Sequence, residues 1–292
     1  MAPHLTHVSE LRCRLGEGPL WDPDRCRLLV TDLHVGAVSE LDLQLHAVGS
    51  LQFDRPATAM TRQQDGSLLI FHDRGDITHV TTAGHTLLTA VLTEEREGLC
   101  NDVIADAQGR VLCGTQPIGS RPGRLYIIER NLRTRVLLDD IIEPNGMGFS
   151  RDGRTLYFTD SGAQTISSFD YDSGSGSIAN RQVLFRAADQ VFPDGLTVDA
   201  AGFLWSAQWN GACVLRLDPA GNVALKVPVP AMRVTSVAFG GPRYDQLFVT
   251  SAAGNGSALD AADLAPGATD GAVFCFEGCG TGSAEYCSRL MV

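Results

Sequence analysis

One pattern recurs six times along this chain, and few folds can satisfy it. The segments Glu17-Gly-Pro-Leu-Trp21-Asp-Pro-Asp-Arg25, Asn101-Asp-Val-Ile-Ala105-Asp-Ala-Gln-Gly109, Asn145-Gly-Met-Gly-Phe149-Ser-Arg-Asp-Gly153 and Asp194-Gly-Leu-Thr-Val198-Asp-Ala-Ala-Gly202 align without gaps. Each opens on a polar residue, alternates apolar positions and ends at a turn. A run rich in β-branched, aromatic and leucine residues follows every turn, such as Leu28-Leu-Val-Thr-Asp32, Val111-Leu-Cys-Gly-Thr115, Leu156-Tyr-Phe-Thr-Asp160 and Leu204-Trp-Ser-Ala-Gln208. That is strand, tight turn, strand, with Asp-Gly, Gln-Gly and Ala-Gly supplying the positive φ of a hairpin turn. Two weaker copies begin at Thr58 and, with one inserted residue, at Thr235.

The turns fall at Arg25, Gly66, Gly109, Gly153, Gly202 and Tyr244, so the intervals are 41, 43, 44, 49 and 42 residues. About 40 to 50 residues is the length of one four-stranded propeller blade. Third strands also read out, at Gly36-Ala-Val-Ser-Glu-Leu-Asp42, Gly123-Arg-Leu-Tyr-Ile-Ile-Glu129, Thr165-Ile-Ser-Ser-Phe-Asp170 and Cys213-Val-Leu-Arg-Leu-Asp218. The expectation is an all-β chain, a six-bladed β-propeller with four-stranded blades, forming one domain over residues 1–292. A β-sandwich gives no reason for this period, and the coil of a β-helix is shorter. An N-terminal strand over residues 6–14 is expected to close the last blade beside Gly271-Ala-Val-Phe-Cys-Phe276, hiding edges that would otherwise pair with other chains. Residues 173–177 and 251–270, rich in Gly, Ser, Ala and Asp, read as exposed loops.

Composition narrows the function classes. Lys and Arg total 23 against 34 for Asp and Glu, a formal net charge of −11, so neither nucleic acid nor an anionic membrane surface is an expected partner. No apolar run reaches membrane-spanning length and the first residues lack a secretion signal, which reads as a soluble, cytoplasmic chain. The eight cysteines include no C-x-x-C pair, the seven histidines all lie between His4 and His85, and no G-x-S-x-G occurs. A Cys/His zinc centre and a nucleophile-elbow serine hydrolase are therefore poor readings, and any metal must be bound by oxygen.

The aligned opening position carries the chemistry. It holds Glu17, Thr58, Asn101, Asn145, Asp194 and Thr235, and the innermost strand of a propeller blade lines the central channel, so these six oxygen-bearing residues are expected to converge. Taken singly, Asn-Asp, Asn-Gly and Asp-Gly are ordinary turn dipeptides; the shared register sets them apart. Two carboxylates meeting in one place repel unless a cation lies between them. A mix of Glu, Asn and Asp oxygens suits one hard divalent cation, Ca²⁺ first, with Mg²⁺ or Mn²⁺ as alternatives and Zn²⁺ tolerated. Asp22, Asp106, Asp152 and Asp199 lie at turns and read as structural; Trp21, Phe149 and Phe239 read as core; Asp32, Asp160 and Gln208 close their strands as caps.

The stretches Leu15-Gly-Glu-Gly-Pro-Leu-Trp21, Asn101-Asp102, Pro144-Asn-Gly146, Pro193-Asp-Gly195 and Thr235-Ser-Val-Ala-Phe-Gly-Gly241 resemble the SMP-30/gluconolactonase/LRE-like family, the regucalcin or senescence marker protein group. The resemblance implies a six-bladed propeller and metal-dependent hydrolysis of sugar lactones. It matches Glu17, Asn145 and Asp194 to metal ligands, and Asn101 to a residue beside the metal that contacts substrate. The expected mechanism has the cation polarise the lactone carbonyl, Asp194 act as general base on water, and Asn101 with Asp102 orient the substrate. The chain departs from the family at Leu99, where members active on aldonolactones commonly carry Arg, which moves the expectation away from a plain gluconolactone. Arg96 and, in the loop Gln116-Pro-Ile-Gly-Ser-Arg-Pro-Gly123, Arg121 are further candidates for substrate contact. The partner is thus a small-molecule lactone, and the protein a monomer or weak homo-oligomer. The alternatives are an ester or phosphotriester hydrolase on the same scaffold, or a non-catalytic calcium-binding propeller.

Overall fold

The computed structural model describes residues 2–253 and 269–292. Strand β1 (His4–Val8) comes first. The first repeat forms β2 (Gly16–Asp22), β3 (Arg27–Asp32), β4 (Ala37–Leu41) and β5 (Ala47–Gln52). The second forms β6 (Ala59–Arg62), β7 (Leu68–Phe71), β8 (Ile77–Thr81) and β9 (Gly84–Leu88), and the third β10 (Cys100–Ala105), β11 (Val111–Thr115), β12 (Gly123–Ile128) and β13 (Thr134–Ile141). The fourth gives β14 (Pro144–Phe149), β15 (Thr155–Asp160), β16 (Thr165–Asp172) and β17 (Ser177–Arg186), and the fifth β18 (Phe192–Val198), β19 (Leu204–Trp209), β20 (Cys213–Leu217) and β21 (Val223–Pro228). Strands β22 (Val234–Gly240), β23 (Gln246–Ser251) and β24 (Phe274–Glu277) complete the described set. They form six four-stranded antiparallel sheets, the blades of a six-bladed β-propeller. Five blades are consecutive meanders; the sixth is ordered β1-β24-β23-β22.

In that sixth blade β1 pairs antiparallel with β24, placing His4 opposite Glu277 and Val8 opposite Phe274. The strand begins earlier than the sequence suggests and stops at Val8, after which Ser9 continues the ladder through a backbone bond to Val273. Most of the 251–270 loop lies outside the described residues. No helix among the described residues is long and apolar enough to cross a membrane.

The chain gathers into two compact units. One comprises residues up to Ala57 together with Ala187–Ala284; the other comprises Thr58–Arg186 and Glu285–Val292. In the first, Trp205, Phe239, Phe274 and Leu247 form one apolar cluster and Trp21, Leu28, Phe248 and Val273 another. In the second, Leu69, Phe71, Val111 and Tyr126 pack together, as do Leu112, Phe149, Leu156 and Phe158. The second strands contribute residues of both faces to different clusters, as Leu112 and Val111 of β11 and Leu247 and Phe248 of β23 do, whereas outer strands such as β5 and β9 are largely exposed.

The hairpin turns behave as their residues require. Gly66, Gly109, Gly153 and Gly202 take φ of 84°, 81°, 67° and 86°. In the two copies lacking that glycine, Cys26 and Tyr244 accept positive φ instead, at 52° and 54°. Asp106 and Asp199 serve the turns, each accepting two backbone N–H groups at 2.9 Å and then an arginine, Arg110 or Arg216. Asp32 and Asp160 cap the chain approaching their own blades, through the N–H groups of Arg14 and Leu15 and of Ile142 and Glu143.

Candidate active site

The inner hairpins share one irregularity. Pairing of the first strand with the second shifts register between Glu17 and Leu20, Cys100 and Val103, Pro144 and Met147, Pro193 and Leu196, and Val234 and Val237. These shifts hold or adjoin Glu17, Asn101, Asn145, Asp194 and Thr235. A bulge leaves a residue outside the ladder and bends its strand, which re-aims the side chain. The remaining hairpin, β6 with β7, pairs in regular register from Ala59 onward, leaving Thr58 just outside its strand.

In the first unit, β22 packs against both β2 and β18. The Thr235 hydroxyl donates to the carbonyl of Gly16 at 2.5 Å, which sets Thr235 beside Glu17. A Cβ on Gly195 would run into the side chain of Ser236, so β18 approaches β22 at the Asp194-Gly195 step closely enough to require glycine there. Glu17, Thr235 and Asp194 therefore sit on three neighbouring inner strands. Asp194 and Thr235 are buried and Glu17 is half-buried.

In the second unit, β10 packs against β14 and β6. Asn101 Nδ2 donates to the carbonyl of Pro144 at 2.6 Å, tying it to the residue before Asn145. Asn145 is 8% exposed and its Nδ2 donates to Ser161 Oγ at 3.0 Å, which turns the carbonyl Oδ1 away from Ser161. That orientation presents the hard oxygen a Ca²⁺ or Mg²⁺ ion requires. Among the described residues no group of three or more His, Cys, Asp or Glu side chains could hold a metal ion. Asp102 Oδ1 accepts the N–H of Val103 at 2.8 Å, and burial pushes its carboxyl up to about 6. Thr58 donates its hydroxyl to the carbonyl of Phe71.

The substrate candidates separate. Leu99 is half-buried and anchored through its backbone, its carbonyl accepting the N–H of Gln116 at 2.9 Å. Arg96 is exposed. Arg121 is held from within the protein, donating from Nη1 to the carbonyl of Glu94 at 3.0 Å and from Nη2 to Glu95 Oε2 at 2.5 Å. Two neighbours of the candidate residues escaped the sequence reading, Ser161 and Glu95. Neither stands at the repeated position, and only the fold brings them to Asn145 and Arg121.

Residues 15–253 match the SMP-30/gluconolactonase/LRE-like region. The chain belongs to that family. It is 37% identical over 288 residues to pentonolactonase XacC of Haloferax volcanii, covering 98% of each chain. It is 30% identical to human regucalcin, covering 82% of this chain and 84% of that one. Among solved structures, a calcium-binding protein, regucalcin from Agrobacterium tumefaciens, superposes with a TM-score of 0.86 at 26% identity over 98% of both chains. That superposition covers nearly the whole chain, so the fold likeness extends through all six blades.

Proposed function

We propose that the protein is a divalent-metal-dependent hydrolase that opens a sugar-type lactone to its hydroxy acid. The near-complete alignment with a pentonolactonase supports the substrate class, and the single observation that carries the site is the bulge repeated at Asn101, Asn145 and Asp194 and directly after Glu17. A strand that breaks its ladder at or beside the same oxygen-bearing position in blade after blade loses pairing energy for no structural return. Glu17, Asn145 and Asp194 are the residues proposed to hold the cation, with calcium first among the candidates.

When bound, a divalent cation supplies Lewis-acid polarisation of a lactone carbonyl and stabilises charge developing on its oxygen. Asp194 accepts the proton of the attacking water as that water's oxygen adds to the carbonyl carbon, and returns it to the ring oxygen as the ring C–O bond breaks to give the hydroxy acid. Asn101, fixed by its bond to Pro144, orients the lactone through its side-chain oxygen. Asp102 lies one residue further along β10 and lines the same approach. Leu99 offers hydrocarbon where an arginine would hydrogen-bond a sugar hydroxyl, which favours a lactone with fewer hydroxyl groups on that side and agrees with a pentono- rather than a hexonolactone.

The test is acid release from a panel of pentono- and hexonolactones, with and without chelator. Turnover is expected to vanish on chelation and return with Ca²⁺, Mg²⁺ or Mn²⁺. Asp194→Ala is expected to lose about 10²–10⁴-fold in kcat while its far-ultraviolet spectrum stays that of the wild type. Full turnover in the chelated protein or in Asp194→Ala overturns the mechanism; metal retained with no lactone opened overturns the function.

A further inference from the structure

Among the described residues, Glu95 is the most deeply buried acidic side chain outside the proposed site, with no exposed surface. It lies in the connection between β9 and β10, within the charged run Glu94-Glu95-Arg96-Glu97. Burying one carboxylate there costs several kcal/mol unless it is paired and hydrogen-bonded. Both its oxygens are used. Oε2 receives Arg121 Nη2 at 2.5 Å, and Oε1 receives the Tyr126 hydroxyl at 2.7 Å. Arg124 donates to the same Tyr126 oxygen at 3.0 Å and pairs with Glu94. Burial pushes the Tyr126 phenol up to about 12, so it stays a donor at any working pH.

These bonds connect two segments that flank Asn101. Residues 116–122 leave the end of β11 at Thr115, which pairs with Cys100, the neighbour of Asn101. The loop closes on itself through reciprocal backbone bonds between Ile118 and Arg121, and its first residue, Gln116, donates to the carbonyl of Leu99. Ile118 also lies over Gly98, with Cδ1 3.1 Å from where a Cβ would stand, while the Glu95 carboxylate fills the rest of that space. Gly98 therefore has to be glycine for the loop and the carboxylate to meet over it.

We propose that Glu95 is a positioning residue which, by holding Arg121 and Tyr126 together, latches residues 116–122 against Leu99 and so sets an apolar wall, Leu99 and Ile118, for the substrate bound at Asn101. The assignment rests on the lactonase reading for its substrate and on the described geometry for the latch. Arg121 acts through the loop and not on the lactone, and so a defect in the latch appears in substrate binding.

Two measurements on the full-length protein separate the parts. Hydrogen exchange of the amides of Gln116, Ile118 and Arg121 tests the latch without any substrate. Glu95→Gln and Arg121→Ala are expected to speed that exchange at least about tenfold, with Arg121→Lys intermediate and Tyr126→Phe milder. Steady-state kinetics on the best lactone are expected to show KM raised about tenfold in Glu95→Gln, with kcat within about threefold of wild type and partial recovery in Arg121→Lys. Unchanged exchange in both Glu95→Gln and Arg121→Ala overturns the latch. Faster exchange with unchanged KM overturns the wall, and a fall in kcat at unchanged KM overturns the positioning role. If the wild type opens no lactone, the functional reading fails by itself, and the exchange result alone decides the latch.

Discussion

Individual residues at and beside the repeated position differ in what their environment demands of them. Asp102 illustrates this. Its carboxyl is pushed up to about 6 by burial, against which the Val103 N–H works to keep it charged. A raised carboxyl favours the protonated native state, so its contribution is present in acid and is lost as pH rises from about 4 through about 6. Asp102→Asn removes that loss. Thermal melts of both proteins at pH 5 and pH 8 are expected to show the variant gaining on wild type at the higher pH, by at most about 3 kcal/mol. A gap independent of pH would show that Asp102 ionises as it does in water. Asn145 needs the opposite treatment, since its value lies in a fixed amide orientation, which the hydroxyl of Ser161 provides at 3.0 Å.

At the level of strands, the bulges decide more than the strands themselves. A regular hairpin would keep the opening residue of each repeat in the ladder; the register shift takes out Asn101, Asn145, Asp194 and Thr235, falls directly after Glu17, which still pairs with Thr31, and leaves Leu20, Val103, Met147, Leu196 and Val237 to resume pairing. Gly195 shows how tightly this is packed. Adding a methyl group there meets the side chain of Ser236, and the space can only be made by moving β18 from β22. Gly195→Ala is expected to lose about 1–3 kcal/mol in urea melts and to displace Asp194 with its strand, lowering activity beyond the loss of folded protein. A variant as stable and as active as wild type would mean that β18 can withdraw without cost. The alternation that makes these strands was legible in the sequence, as were their turns, because both depend on residues a few positions apart. The bulges were not, since a bulge appears only against a partner strand.

For the whole chain, the carboxyl-terminal segment is the clearest case of structure the repeat did not announce. Ser288 joins Gln63 in a parallel bridge, and the Gln63 amide both donates to and accepts from the backbone of Leu290, at 2.9 and 3.0 Å. Arg289 donates to Gly109 and Met291 to Arg130, while Leu290 is buried among Leu69, Val111 and Ile128. Truncation before Ser288 is expected to cost at least about 3 kcal/mol, read in urea melts, from one lost leucine burial and several lost hydrogen bonds. Unchanged stability would make the segment an ornament. The six-fold repeat, its blade length and the oxygen-bearing residue opening each unit were all determined by the sequence alone, because periodicity, turn chemistry and side-chain type are local properties. Which of those residues leave the ladder, that Arg121 is claimed by Glu95, and that the last residues clamp Gln63 were decided only by the tertiary structure, because each joins groups whose separation along the chain carries no signal until the fold closes it.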